Sequence, residues 1–276
     1  MLGDHQADPS TKEAITVDRH VPGGLQISQD GYTLDVADTI VEPGQGDFRF
    51  RILGPGGQPV TVYDPIHDRE LHLIVARREL TGFWHVHPER DADGTWSVRL
   101  SLPEPGAYRV FTDIAPRELG RTITLGADLA VRGQYEPRPA PAPAPTFAVD
   151  GYEIELAGEL AAGEGRSVTL TVRRNGEPVT DLEPYLAAFG HLVVLRAGDL
   201  AYVHVHPDGH PGDGVTAPGP GIAFHVAVPG PGTYRLFLDF QHGGVVRTAA
   251  FTTVAPQSES QSESRSQPQS HSHSHH

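Results

Sequence analysis

Apolar and polar residues alternate in short runs along most of the chain, and Gly, Pro and Asp close each run. The first half offers YTLDVADTI, FRFRIL, VTVYD, LHLIVAR, FWHVHP, TWSVRLSL, YRVFTDI and TITLGADLAV; the second offers YEIELAG, SVTLTVRR, HLVVLR, LAYVHVHP, IAFHVAV, TYRLFLDF and VVRTAAFTTV. A period of two with β-branched and aromatic enrichment predicts strands, and few windows carry the helical period. Between the two sets runs PRPAPAPAP, whose composition favours an extended polyproline II spacer.

Roughly eight and seven strands match the count of an immunoglobulin-like sandwich. The expected fold is therefore all-β: two tandem immunoglobulin-like β-sandwich domains joined by a Pro/Ala-rich linker, with a disordered His/Ser-rich C-terminal tail. The expected boundaries are a flexible N-terminus over 1–22, domain 1 over 23–133, the linker over 134–146, domain 2 over 147–255 and the tail over 256–276.

The chain contains its own second copy. Gly57-x-Pro59-Val60-Thr61 matches Gly176-x-Pro178-Val179-Thr180, and Pro65 matches Pro184. His72 stands 13 residues before His85, and His191 stands 13 before His204. Both later histidines open the tetrapeptide HVHP. Pro105-Gly106-x-Tyr108-Arg109-x-Phe111-x-Asp113 then matches Pro231-Gly232-x-Tyr234-Arg235-x-Phe237-x-Asp239, after seven extra residues in the second copy's loop DGHPGDGVTAPGPG.

On a strand, residues i and i+2 share a face about 7 Å apart, so His85 with His87, and His204 with His206, can converge on one ion. If Arg196 and Asp199 close the turn between them, Leu195 pairs with Leu200, Val193 with Tyr202 and His191 with His204. Directly opposed residues share a face, which clusters His191, His204 and His206. The first copy allows the same parity for His72, His85 and His87. Three imidazoles suit Zn(II) or Cu(II), so the expected cofactor is a copper or zinc ion. Asp113 and Asp239 are candidates either to ligate it or to orient an imidazole, with orientation favoured. His67, His225 and His242 have no counterpart in the other copy, so equivalent sites should not depend on them.

Composition narrows the alternatives. With 21 Lys plus Arg against 35 Asp plus Glu the formal charge is -14, which repels phosphate backbones and excludes nucleic acid as a partner. There is no cysteine, and the one methionine is Met1, so thiolate and thioether sites are excluded and imidazole is the main soft ligand. The opening MLGDHQADPSTKEAITVDRH has no apolar run of the kind a signal peptide needs, and no stretch approaches the ~20 apolar residues of a membrane span.

Asp91-x-Asp93-Gly94 resembles a calcium loop but lacks its closing Glu, since position 102 is Leu, so it reads as a turn. The loop with Asp208, His210 and Asp213 reads as a long exposed loop, and Tyr108 and Tyr234 as core residues. His271, His273, His275 and His276 in the tail would capture ions loosely.

Enzymatic readings fit less well. A cupin needs a Glu and a later His at spacings absent here, a copper–zinc dismutase needs a bridging histidine and further ligands, and neither GxSxG nor a P-loop occurs. The expectation is a binding protein and not an enzyme. HLVVLRAGDLAYVHVHPDG with PGPGTYRLFLDFQHGGVVRTAAF, and the echo LHLIVARRELTGFWHVHPERDADGTW with PGAYRVFTDIAP, resembles a group of actinobacterial secreted or membrane-anchored heavy-metal-associated proteins whose sandwiches are similar to YtkA-like and CopC-like copper-handling domains. The resemblance covers roughly residues 24–254. It implies an extracytoplasmic, secreted or cell-surface, copper-related role on His72, His85, His87, His191, His204 and His206, with a membrane or surface copper-handling protein as partner. The chain lacks the N-terminal histidine ligand and Met-rich segment of CopC-type carriers. A metal-free scaffold or adhesion module with structural histidines is the alternative reading.

Overall fold

The computed structural model describes residues 21–257. The expectations for most of the N-terminus and of the tail therefore fall outside the described residues. In the first domain, β1 (Ser28–Gln29), β2 (Tyr32–Val36), β3 (Ile40–Val41), β4 (Gly44–Leu53), β5 (Leu71–Arg77), β6 (Phe83–Val86), β7 (Glu89–Arg90), β8 (Thr95–Leu102), β9 (Gly106–Ile114) and β10 (Ile123–Val131) build two sheets, ordered β1-β2-β4-β8-β7 and β3-β10-β9-β5-β6.

In the second domain the strands are β11 (Thr146–Val149), β12 (Tyr152–Ala157), β13 (Gly165–Arg174), β14 (Glu177–Pro178), β15 (His191–Arg196), β16 (Tyr202–Val203), β17 (Val205–Pro207), β18 (Gly221–Ala227), β19 (Gly232–His242) and β20 (Val245–Ala255). Their sheets are β11-β12-β13-β18-β17, with β14 also on β13, and β16-β15-β19-β20. The described residues contain no helix, and hence none long and apolar enough to cross a membrane. The chain is thus an all-β pair of immunoglobulin-like sandwiches.

Each sandwich buries its own core, with Phe50, Leu73, Val75 and Val110 at the centre of one and Leu170, Val194, Phe224 and Leu236 at the centre of the other. Tyr108 and Tyr234 are buried as expected, and each donates its hydroxyl to a carbonyl four residues upstream, at Glu104 and Gly230 (both 2.7 Å). Asp91 and Asp93 cap the turn before β8 by accepting from the Thr95 amide (2.8 and 2.9 Å).

A third apolar cluster lies between the domains. Ile74, Ala76, Leu80 and Phe111 pack against Val193, Leu195, Leu200, Tyr202 and Phe237. Equivalent sheets of the two repeats are therefore face to face, which is why all seven residues of β5 are buried. Leu71, Leu73 and Val75 face their own core; His72, Ile74 and Ala76 face the other domain. Sheets covered on both sides read as continuous apolar runs rather than alternating ones, and LHLIVAR has that character.

Phe83 stacks on Phe237 with ring centroids 4.1 Å apart and planes 5° from parallel. The N-terminal segment crosses the same seam, since the Tyr202 amide donates to Gly23 O at 2.9 Å. Removing the Phe237 ring opens a cavity in this seam, so Phe237→Ala is expected to cost about 3–5 kcal/mol. A thermal melt reads that loss, and limited proteolysis between β10 and β11 is expected to speed up.

The strand register differs from the sequence expectation. Leu195 pairs with Tyr202 and Val194 with Val203, a shift of two residues from Leu195 opposite Leu200. The turn spans four residues instead of two: the Arg196 amide donates to Ala201 O at 3.1 Å, while Arg196 holds Asp199 by its side chain, Nε to Oδ1 at 3.0 Å. A slip of two preserves the face of every side chain. The first repeat has the equivalent pairing, Ile74 with His85 and Val75 with Trp84.

Candidate metal centre

His72 enters the seam from the start of β5, and His85 and His87 come from β6 and the residue just past it, on the same face. His72 Nδ1 lies 3.0 Å from His85 Nε2 and 3.1 Å from His87 Nε2. The three rings have centroids 5.3, 4.9 and 4.9 Å apart. Their ligand atoms all lie within 4.8 Å of one another, and among the described residues no other group of three or more His, Cys, Asp or Glu does so. Bonds near 2 Å in tetrahedral geometry separate ligand nitrogens by about 3.3 Å, so the cluster fits an ion after shifts of a few tenths of an ångström.

The hydrogen bonds behind the cluster decide which nitrogens are free. His72 Nε2 is 2.8 Å from Ile66 O; a carbonyl only accepts, so Nε2 carries the proton and Nδ1 presents a lone pair. His85 Nδ1 is 2.7 Å from Asp239 Oδ2, which places the proton on Nδ1 and leaves Nε2 bare when the ring is neutral. Two lone pairs then face each other at 3.0 Å. That arrangement suits a metal ion between the two nitrogens; without one, a proton on His87 Nε2 lets that ring donate to His72 Nδ1 at 3.1 Å. Burial pushes His72 and His87 down to about 3, against the ordinary 6.5, so both rings are neutral at pH 7 and able to ligate.

Asp239 belongs to the second domain. It is 4% exposed, accepts from Thr248 Oγ1 through Oδ1, and orients His85 of the first domain through Oδ2. The site is thus built across the seam. Orientation by this carboxylate is the role favoured from sequence, but it acts on the other repeat's histidine.

The second repeat does not assemble a matching group. His191 occupies the place of His72, and its Nε2 donates to Tyr185 O at 2.8 Å, repeating the bond to Ile66. His204 and His206 go elsewhere because the chain leaves the sheet early. After Val203 it crosses to the opposite sheet, where Val205–Pro207 pair with β18 and His206 lies exposed opposite His225. In the first repeat the strand stays on β5 through Val86, which keeps His85 and His87 together. His204 Nε2 instead reaches across the seam to Thr124 Oγ1 at 3.2 Å, and that hydroxyl donates to Asp113 Oδ1 at 2.9 Å.

Sequence reasoning set His67 aside for lack of a counterpart, yet the structure brings it to the centre. Its ring lies 5.0 Å from that of His191 and 6.2 Å from that of His72. His67, His72, His85, Asp113, His191 and His204 all line one cavity of about 50 Å³, with Tyr202 and Phe224 among its apolar walls. The loop Pro65–Arg69 that carries His67 precedes β5, and its proximity to the motif in sequence was the available signal. His67 and Pro207 also border an open surface depression lined by His206 and His210.

A family model described as Domain of unknown function (DUF8832) matches twice, over residues 27–131 and 147–257, once per sandwich. No match was found among curated proteins. Solved structures similar to the chain include a mutant of Salmonella alpha-2-macroglobulin, with 12% identity over 87% of this chain and 15% of that one at a TM-score of 0.29. Yersinia pseudotuberculosis InvD has 14% identity over 84% of this chain and 59% of its own at 0.27. Invasin, a bacterial integrin-binding protein, has 12% identity over 82% of this chain and 39% of its own at 0.24. The chain spans less than two thirds of the length of each of these proteins.

Proposed function

We propose that this chain, which belongs to the DUF8832 family through both of its repeats, is an extracytoplasmic divalent-metal-binding protein that holds its ion on His72, His85 and His87. The observation that carries the reading is the pair of lone pairs at 3.0 Å whose orientation Ile66 O and Asp239 enforce. Copper stands before zinc: an imidazole-only donor set binds Cu(II) more tightly than Zn(II) in the general order of divalent affinities, and the copper-handling resemblance points the same way. That resemblance also supports the secreted or cell-surface setting and a copper-handling partner there.

Sequestration or delivery fits better than catalysis. A cavity of about 50 Å³ has room for an ion with water but not for an organic substrate, since typical ligand pockets are about 300 Å³ or more. The depression beside His206 and His210, which shares His67 and Pro207 with the cavity wall, is the face we assign to a partner that loads or removes the ion.

Calorimetric titration of Cu(II) and Zn(II) tests the reading on the full chain with His271, His273, His275 and His276 changed to Ser. Binding tighter than about 10 μM is expected, with copper at least about tenfold tighter than zinc and most of the affinity lost in the double variant His72→Ala, His87→Ala. Binding weaker than that limit, or unchanged in the double variant, contradicts it. A metal-free scaffold is the second reading, and the observation favouring it is the bond from His191 to Tyr185 O, which holds a ring in a repeat with no triad.

A further inference from the structure

The tyrosine that opens the second strand of each repeat meets two different surroundings. Asp30-Gly31-Tyr32 matches Asp150-Gly151-Tyr152, and both turns use the same left-handed backbone, with φ of 54° and 83° against 48° and 79°. Tyr32 and Tyr152 are 3% and 2% exposed, each with its ring in the core of its own sandwich.

In the second repeat the hydroxyl is taken. Tyr152 donates to His242 Nδ1 at 2.7 Å, and His242 Nε2 donates to Asp181 Oδ1 at 3.1 Å. A carboxylate only accepts, so the proton of the neutral ring sits on Nε2 and Nδ1 is the acceptor. Arg174 lies over the tyrosine ring, 5.2 Å from its centroid. The phenol is thus covered by an imidazole, held in turn by a carboxylate, and by a guanidinium.

The first repeat keeps the phenol without these covers. The bonds from Asp64 N to Ala115 O at 2.8 Å and from Glu183 N to Gln241 O at 2.9 Å are equivalent, which puts Pro116 in the place of His242 and Val62 in that of Asp181. The pairing of β2 with β4 and of β12 with β13 puts Gly54 in the place of Arg174. Gly54, Val62 and Pro116, with Pro55, Pro59 and Val60, line a cleft of about 230 Å³ whose wall also includes Tyr32 and Glu118. The Tyr32 hydroxyl makes no hydrogen bond with the described residues, although buried phenols are usually bonded. Burial, and then the charge of Glu118, hold it above the ordinary 10.0, so it is a donor at neutral pH. A Cβ on Gly54 would stand 3.9 Å from Tyr32 Cε1, so this glycine leaves the approach to the ring open.

We propose that this cleft is a binding site for the imidazole of a histidine, supplied as free histidine or by a peptide. Tyr32 donates to the bare ring nitrogen and Glu118 accepts from the other N–H, as Tyr152 and Asp181 do for His242, while Pro55, Pro59 and Val60 pack on the ring. The cleft, at about 230 Å³, is smaller than the roughly 300 Å³ at which pockets for drug-sized ligands begin, which suits one ring on a short stem. It shares no lining residue with the seam cavity, and it stands or falls independently of metal binding.

Nitrogen-15 NMR titration tests it on the full chain carrying the four tail substitutions, with a chelator present so that neither tail histidines nor metal interfere. The probes are L-histidine and acetyl-Ser-His-Ser-amide, and acetyl-Ser-Phe-Ser-amide is the control without ring nitrogens. A histidine probe is expected to bind with a Kd of about 1 mM or tighter, shifting the amides of Tyr32, Val60 and Val62. Binding of free histidine assigns the small molecule as a sufficient ligand; binding of the peptide alone assigns a histidine-bearing segment. Tyr32→Phe, which leaves the buried ring in place, is expected to weaken binding about 3–10-fold. Gly54→Arg, which copies Arg174, is expected to abolish it, and thermal melts check that both variants fold. No shift at these residues with either probe, equal binding of the phenylalanine peptide, or an affinity unchanged in both variants overturns the site.

Discussion

Asp239→Asn is expected to weaken metal binding at His72, His85 and His87 by about 10–100-fold, although Asp239 lies in the other sandwich. The carboxylate holds His85 Nδ1 at 2.7 Å and so fixes the tautomer that exposes Nε2. An asparagine keeps the shape and offers a carbonyl oxygen to the same proton, but it carries no charge, and a flipped amide would present N–H to N–H. Thr248 restrains the aspartate from its other side, so the native geometry is held in the absence of metal. Chelator competition reads the affinity, and circular dichroism checks that the fold is retained. A change of less than about twofold would show that His85 is not a ligand or that its orientation is set elsewhere.

Acid is expected to unfold the metal-free protein well before it titrates the buried rings. His72 and His87 are held at about 3 and His191 at about 4, all mainly by burial, while the unfolded chain titrates its histidines near 6.5. Folded-state values below the unfolded ones mean that the unfolded chain binds more protons over this interval. Stability is therefore complete above about pH 6.5 and falls as the pH drops towards 3 to 4, where the folded rings protonate as well. His72 and His191, 4% and 7% exposed, together account for a loss on the order of 3–4 kcal/mol between pH 6.5 and 5. His87 is more exposed and adds less.

The melting temperature is expected to fall by about 10 °C over that range, and roughly three protons are taken up on unfolding. Saturating Cu(II) should raise the melting temperature at pH 7, with the gain shrinking as the medium is acidified because protons compete for the same nitrogens. A melting temperature flat from pH 7 to 5 in the metal-free chain would contradict the buried, neutral state of these rings.

Much of this architecture is legible in the chain because two periodicities are written into it. The period of two marks the strands, and the repeat carries His72 to His191 and His85 to His204 by one constant offset. Even the register error was harmless to the first cluster, since a slip of two leaves His72 on the face of His85 and His87. The turn at Arg196 misled because its side-chain pairing with Asp199 resembles turn closure, while the backbone of Arg196 closes on Ala201, two residues further along.

Other features depend on tertiary arrangement that no local pattern records. Equivalence of the repeats argued for two like sites, but the seam brings only His191 and His204 of the second repeat to the first repeat's histidines, and the early departure of the chain at His204 leaves His206 on the opposite sheet. His67 was passed over for the reason that makes it informative, namely that it has no counterpart. The unbroken apolar stretch LIVA within LHLIVAR was the available sign of a strand covered on both faces, and hence of domains that pack together instead of standing apart on a spacer.

The central claim is that the first repeat's histidines coordinate a metal ion across the domain seam. An anomalous difference map at the copper edge, from crystals of the Cu(II)-loaded protein, tests it most directly. The account predicts a peak about 2 Å from His72 Nδ1, His85 Nε2 and His87 Nε2, with Asp239 still bonded to His85. No peak at these nitrogens, with the three rings hydrogen-bonded to one another in the presence of excess copper, would contradict it.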